Sequence, residues 1–169
     1  MWCGTDWCAT SSRRTRRTAT RTVTLVVHVA TEQVRIPVGR ARVMRAVESV
    51  LRAERAREAE LSVTFVTDRR IAQLNREHLD HRGPTDVISF GFAPAANGAP
   101  LTGDIYIAPG VARRNAVAHG SRIREELLRL VVHGTLHVLG HDHPVDESRY
   151  RSAMWRRQER LLQRVLAAT

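Results

Sequence analysis

The run TVTLVVHV, Thr22 to Val29, is rich in β-branched residues and predicts a first strand. The period then changes. In VGRARVMRAVESVLRAERA, Val43, Val47, Val50 and Leu51 recur at helical spacing, which predicts an amphipathic helix. Leu61 to Thr67, LSVTFVT, alternates apolar and polar positions as a second strand, and Asp68 follows as the expected N-cap of a helix burying Ile71 and Leu74. Gly83 and Pro84 mark a turn before DVISFGF, a third strand, and APAANGAP reads as a loop. GDIYIA, Gly103 to Ala108, is a short fourth strand, after which Pro109 suits the first turn of another helix.

Ser121 is placed to cap the next helix, with Glu125 and Glu126 near its positive end. That helix, IREELLRLVVHGTLHVL, is apolar on most faces, so it is expected at the centre of the core, ended by Gly140. A last helix is expected after Pro144, with Asp146 and Glu147 in its first turn and Tyr150, Met154, Leu161 and Val165 buried. The elements amount to a single α+β domain over residues 21–169, without an internal repeat. Residues 1–20, rich in Ser, Thr and Arg and lacking apolar periodicity, read as a disordered basic arm. A nucleic-acid arm, a transit peptide and translation from a start codon upstream of the true one all fit it, the last best.

Charge changes the picture next. The 169 residues carry 27 basic side chains, all Arg, against 17 acidic ones, a formal charge of +10. An excess of planar guanidinium forks suggests a polyanionic partner, nucleic acid ahead of an anionic membrane, with a solvated basic surface as the plain alternative. No apolar run approaches the roughly 18 residues of a membrane span, so a soluble protein with no membrane role is expected. The only cysteines, Cys3 and Cys8, lie in the arm, which fits a reducing cytoplasm better than export.

The densest chemistry is LVVHGTLHVLGHDHP, residues 130–144. His133 and His137 share one helical face, about 6 Å apart along the axis, and Gly140 lets the chain turn back and bring in His143. Three imidazoles suit zinc and leave a fourth tetrahedral position for water. Two other readings stay open: histidines that merely cap a helix end, and a closed structural site completed by His141. The second is disfavoured because His141 and His143 alternate along an extended turn and point apart. The same spacing occurs in metzincin proteases, which place a general-base Glu directly after the first His. Gly134 stands there instead, so peptide hydrolysis lacks its base. A metal can still activate water and polarise a phosphoryl oxygen, and with the Arg excess this favours a phosphodiester substrate.

HGTLHVLGHDH, together with LNREHLDHRGPTDVISF, GDIYIA and AMWRRQERLL, resembles the YbeY family of bacterial endoribonucleases, also called ribosomal RNA maturation factors. The likeness runs from about Val23 to the C-terminus. It implies a mixed four-stranded sheet with about five helices and a zinc site at the end of the central helix. One zinc per chain would be held by His133, His137 and His143. It further implies cleavage of single-stranded RNA, with ribosomal RNA and the small ribosomal subunit as partners, in ribosome maturation and quality control. The sequence departs from the family pattern twice. His141 replaces a frequent Tyr, and His78 is followed by Leu79 where many members carry an Arg thought to aid cleavage; Arg82 lies close enough in sequence to compensate. His133 and Arg82 are therefore the catalytic candidates. A non-catalytic ribosome assembly factor with structural zinc is the alternative, and a metalloprotease a weaker one. Thr85, Asp86 and Asp104 either orient the site or cap strand ends. Arg113 and Arg114 either meet phosphates or form a solvated face. Trp155 reads as core or partner surface ahead of a base-stacking platform. The oligomeric state stays open.

Overall fold

The structure, a computed structural model, describes residues 23–92 and 99–168. The expected disordered arm and most of the APAANGAP loop lie outside the described residues. The β-branched first run forms β1 (Thr24–Thr31). The helix after it, α1 (Arg40–Ala53), buries Val43, Val47, Val50 and Leu51 as its spacing requires. It is the crossover that lets β2 (Glu58–Phe65) return parallel to β1, Thr24 opposite Glu58. After α2 (Asp68–Leu79), β3 (Val87–Phe92) runs antiparallel to β4 (Leu101–Ile107), which inserts beside β2 in parallel. The result is a mixed sheet of order β1-β2-β4-β3. Helices α3 (Pro109–Ala118) and α4 (Ile123–Val138), a 3₁₀ turn (Glu147–Arg151) and α5 (Ala153–Ala167) complete the chain.

Because strand side chains alternate between faces, the sheet has two unlike sides. Leu61, Val63, Phe65, Ile105 and Ile107 meet α1, α4 and α5 in the main core. On the other face Ile71 and Leu74 of α2 close over Val66, Ile88 and Ala108. Helix α4 lies unusually near the sheet. A Cβ added at Gly134 would stand 2.7 Å from Ile105 Cγ2, and one at Gly103 would stand 2.5 Å from Val138 Cγ1. These two hydrogens are what allow the apolar faces of α4 to lie directly on the sheet in the middle of the core. No helix among the described residues is long and apolar enough to cross a membrane.

Three local expectations need correction. The cap of α2 is Thr67, whose hydroxyl accepts the Arg70 N–H at 3.2 Å. Asp68 is already helical and pairs with Arg114 at 2.8 Å instead. Ser121 does not cap α4: Arg122 holds the cap position, no side-chain bond forms there, and the enclosed Ser121 Oγ has no hydrogen-bond partner among the described residues. The last helix is broken. Asp146 caps only the 3₁₀ turn, the backbone becomes extended at Ser152, and the Ser152 side chain accepts the Trp155 N–H to start α5 afresh. That break resets the helical phase. Met154, Leu161 and Val165 remain buried, but Tyr150 is 43% exposed rather than in the core.

Candidate metal centre

Helix α4 ends where the sequence places Gly140, with φ at 84°, a left-handed conformation that a side chain disfavours. The Gly140 N–H donates to the His137 carbonyl at 2.9 Å and the His141 N–H to the Leu136 carbonyl at 3.0 Å. This paired closure turns the chain sharply and satisfies two carbonyls of the last turn. It also returns His143 to the face carrying His133 and His137. Their Nε2 atoms converge, 3.1 Å apart for His133 and His137 and 3.5 Å for His133 and His143. The three ring-nitrogen donors lie within 4.8 Å of one another.

Hydrogen bonds on the far side of the rings explain what those nitrogens offer. His133 Nδ1–H donates to Gln158 Oε1 at 2.7 Å, and His143 Nδ1–H donates to the Pro144 carbonyl at 2.8 Å. Each neutral ring then presents Nε2 as a bare lone pair. Lone pairs facing one another repel unless a cation lies between them. Four-coordinate zinc, with nitrogens at about 2.0–2.1 Å, would hold two of them about 3.3–3.4 Å apart. The spacing here matches that geometry. Burial lowers the His137 pKa to about 4, with His133 and His143 adding repulsion, and burial likewise lowers that of His133. Both rings stay in the uncharged form a metal requires.

Gln158, 1% exposed, is itself anchored. Its Nε2 donates to Glu159 Oε1 at 3.0 Å, which also accepts from Arg129 Nε at 3.2 Å. Arg129 extends the chain of bonds to Glu125 and Glu126 on α4. His141 takes no part in the centre: its Nε2 lies 3.1 Å from Glu54 Oε2, a carboxylate that also receives Arg157 at 2.7 Å. Gly134 faces Ile105, so the position next to the first histidine points into the helix–sheet contact. A side chain there could not reach the site.

A cavity of about 410 Å³ opens beside the triad and is lined by His133, His143, Asp86, Asn115, Arg149, Tyr150 and Trp155, among others. Asp86 is held on its wall by Asn115 Nδ2 at 3.0 Å and by the Thr85 hydroxyl at 3.3 Å. Asp104 is elsewhere, accepting from Ser62 at 2.5 Å in a smaller depression over β1, β2 and β4. Arg113 is exposed outside the cavity lining. Arg82 is also exposed, in the connection between α2 and β3, and is not among the residues lining the cavity. Gln158, Asn115, Arg149 and Tyr150 were not singled out from the sequence as site residues. Only Gln158 leaves a trace there, as the one polar member of a helix face otherwise formed by Met154, Leu161, Leu162 and Val165.

Comparison with known proteins places the chain among relatives. The family described as Endoribonuclease YbeY matches residues 27–166. A protein of that name from Pelotomaculum thermopropionicum is 40% identical over 127 residues, covering 72% of this chain and 82% of that one. Another, from Anaeromyxobacter dehalogenans, is 44% identical over 104 residues, covering 61% and 54% respectively. The solution structure of TM1509 from Thermotoga maritima superposes with a TM-score of 0.55 at 22% identity, over 84% of this chain and 90% of that one, a likeness of fold.

Proposed function

Since the chain belongs to the YbeY family of endoribonucleases, we propose that it is a zinc-dependent endoribonuclease that cuts single-stranded RNA in the maturation of small-subunit ribosomal RNA. Ribosomal RNA and the small ribosomal subunit are its partners in this reading, and the cytoplasm its place of work. The observation that carries the reading is the convergence of the three histidine Nε2 atoms beside a cavity, two of them, on His133 and His143, left as bare lone pairs by the bonds at Nδ1. His133, His137 and His143 would hold the ion, which when bound supplies Lewis acidity toward water and a phosphoryl oxygen.

The chain's own groups do the rest. Gln158 and the Pro144 carbonyl fix the orientation of two ligand rings. Asp86 is the wall carboxylate free to accept a proton from attacking water, because Glu126 and Glu159 are tied to Arg129. Arginine stabilises charge developing on the phosphate. Arg82 is the candidate from the sequence, and Arg149, on the cavity wall, is the candidate from the geometry.

The test is purified protein on defined single-stranded RNAs with and without a chelator. Cleavage should stop with chelator and in His133→Ala, and peptides should be spared. Cleavage surviving both treatments would reject the metal-dependent reading. Arg82→Ala should lower the rate at saturating RNA by about 10²-fold if it supplies a charge-stabilising donor; an unchanged rate leaves Arg149. The alternative, an assembly factor with structural zinc, requires a fourth protein ligand, and His141 is engaged with Glu54.

A further inference from the structure

The cavity that His133 and His143 line also carries an arrangement that the core does not need. The 3₁₀ turn Glu147–Arg151 buries none of its residues, yet it holds Tyr150 edge-on to Trp155, ring centroids 4.8 Å apart at 84°. The Arg149 guanidinium carbon lies 4.7 Å from the centre of the Tyr150 ring, and Arg149 Nη2 donates to the Tyr150 hydroxyl at 2.7 Å. Arg149 is also close enough to His133 for its charge to act on that ring. Two aromatic rings and a guanidinium thus line the same cavity as His133 and His143 of the triad.

The deeper lining explains which part of an RNA could enter. Glu126 and Glu159 sit there with Arg129, and three carboxylates share that one guanidinium once Glu125 is included. The excess negative charge repels a phosphate. A flat, uncharged ring meets no such barrier, and the nearby Asn115 and Ser121 side chains offer hydrogen bonds to its edge. The Ser121 hydroxyl oxygen is enclosed and has no hydrogen-bond partner among the described residues, a cost that a bound polar edge would remove. The volume falls in the range of small-ligand pockets, roughly 300–1,000 Å³.

We propose that this cavity is a nucleobase subsite, in which one unpaired base next to the scissile phosphate stacks on the Tyr150 ring, with Trp155 standing edge-on to that ring, while Arg149 meets the adjoining phosphate. The assignment rests on the RNA-cleaving reading and deepens it. It requires an unstacked base, so it supplies a physical reason for preferring single strands.

The experiment uses the full chain with Trp2 and Trp7 replaced by Phe, leaving Trp155 as the sole indole, and a short 2′-O-methylated single-stranded RNA as probe. Binding is followed both by anisotropy of a label on the RNA and by Trp155 emission. Binding should quench Trp155. Tyr150→Ala should weaken binding by about 10-fold, the scale of one lost base stack, and raise KM with kcat within about threefold and zinc content unchanged. A separate Trp155→Phe variant of the otherwise native chain should bind within about twofold of it. Anisotropy that reports binding while Trp155 emission and the Tyr150→Ala affinity stay unchanged would overturn the subsite and leave the nuclease reading intact. Absence of any RNA binding would overturn both.

Discussion

Gln158 is a single polar residue on the buried face of α5, and its 2.7 Å contact with His133 decides which ring nitrogen faces the metal centre. Replacing it with Leu keeps the volume but removes the acceptor, leaving the His133 Nδ1–H without a partner and the ring free to adopt the other tautomer. Zinc affinity should fall by about 10–100-fold, the usual cost of losing a ligand's supporting hydrogen bond. Competition against a chromophoric chelator measures this. A variant that holds zinc as tightly as the parent would mean that packing alone orients His133. His137 is the complementary case: His137→Ala should abolish one-to-one zinc binding in elemental analysis, because two imidazoles remain.

At the scale of the element, α4 couples packing to chemistry. Gly134→Ala places a methyl 2.7 Å from Ile105 Cγ2 with no room for a backbone this central to move. The expected cost is about 1–3 kcal/mol, the range for overpacking a core, read as a lower thermal midpoint. The variant also probes why the protease base is missing: Gly134 serves the helix–sheet contact and faces away from the metal. Gly140→Ala acts differently. Its Cβ meets nothing within 4 Å, so the penalty comes from holding φ at 84°, about 1 kcal/mol for a residue with a side chain. Because His143 returns through this turn, zinc affinity should fall in Gly140→Ala beyond what the loss of stability alone gives. Equal zinc affinity in the parent and Gly140→Ala would separate the turn from the ligand it delivers.

For the whole molecule the triad ties folding to metal and to pH. A metal bound by three ligands from α4 and the following turn stabilises only the folded state, so zinc should raise the thermal midpoint in a concentration-dependent way. In chelated protein the sign of the pH dependence follows from His137, whose folded pKa of about 4 lies below its ordinary 6.5. Between those values the unfolded chain binds a proton that the folded chain refuses. Stability is therefore fully present above pH 6.5 and is lost as pH falls toward 4, with His133 shifted in the same direction. The midpoint of the chelated protein should drop over that window, and the drop should be smaller in His137→Gln. A flat profile would show that the triad opens to solvent without its metal.

The strands, the buried faces of α1 and α5, the glycine stop of α4 and the three-histidine set were all legible in the sequence, because each is written in local periodicity or in spacing along one helix. His-x3-His on an apolar helix must share a face, and a glycine two residues beyond its end can turn the chain back. What the sequence could not reveal depended on where separate elements meet. The cap of α2 moved to Thr67 because competing caps one residue apart are chosen by the packing around them, here with Arg114 drawing Asp68 away. Tyr150 left the core because a break at Ser152 rephased α5. Gln158 became a partner of His133 only through the packing of α5 on α4, 25 residues away in sequence. His141 was drawn from the metal by Glu54, 87 residues away. Local pattern determined which elements form and which side chains can bind a metal; the contacts between elements decided how those side chains are oriented, because orientation is set by partners that no periodicity brings together.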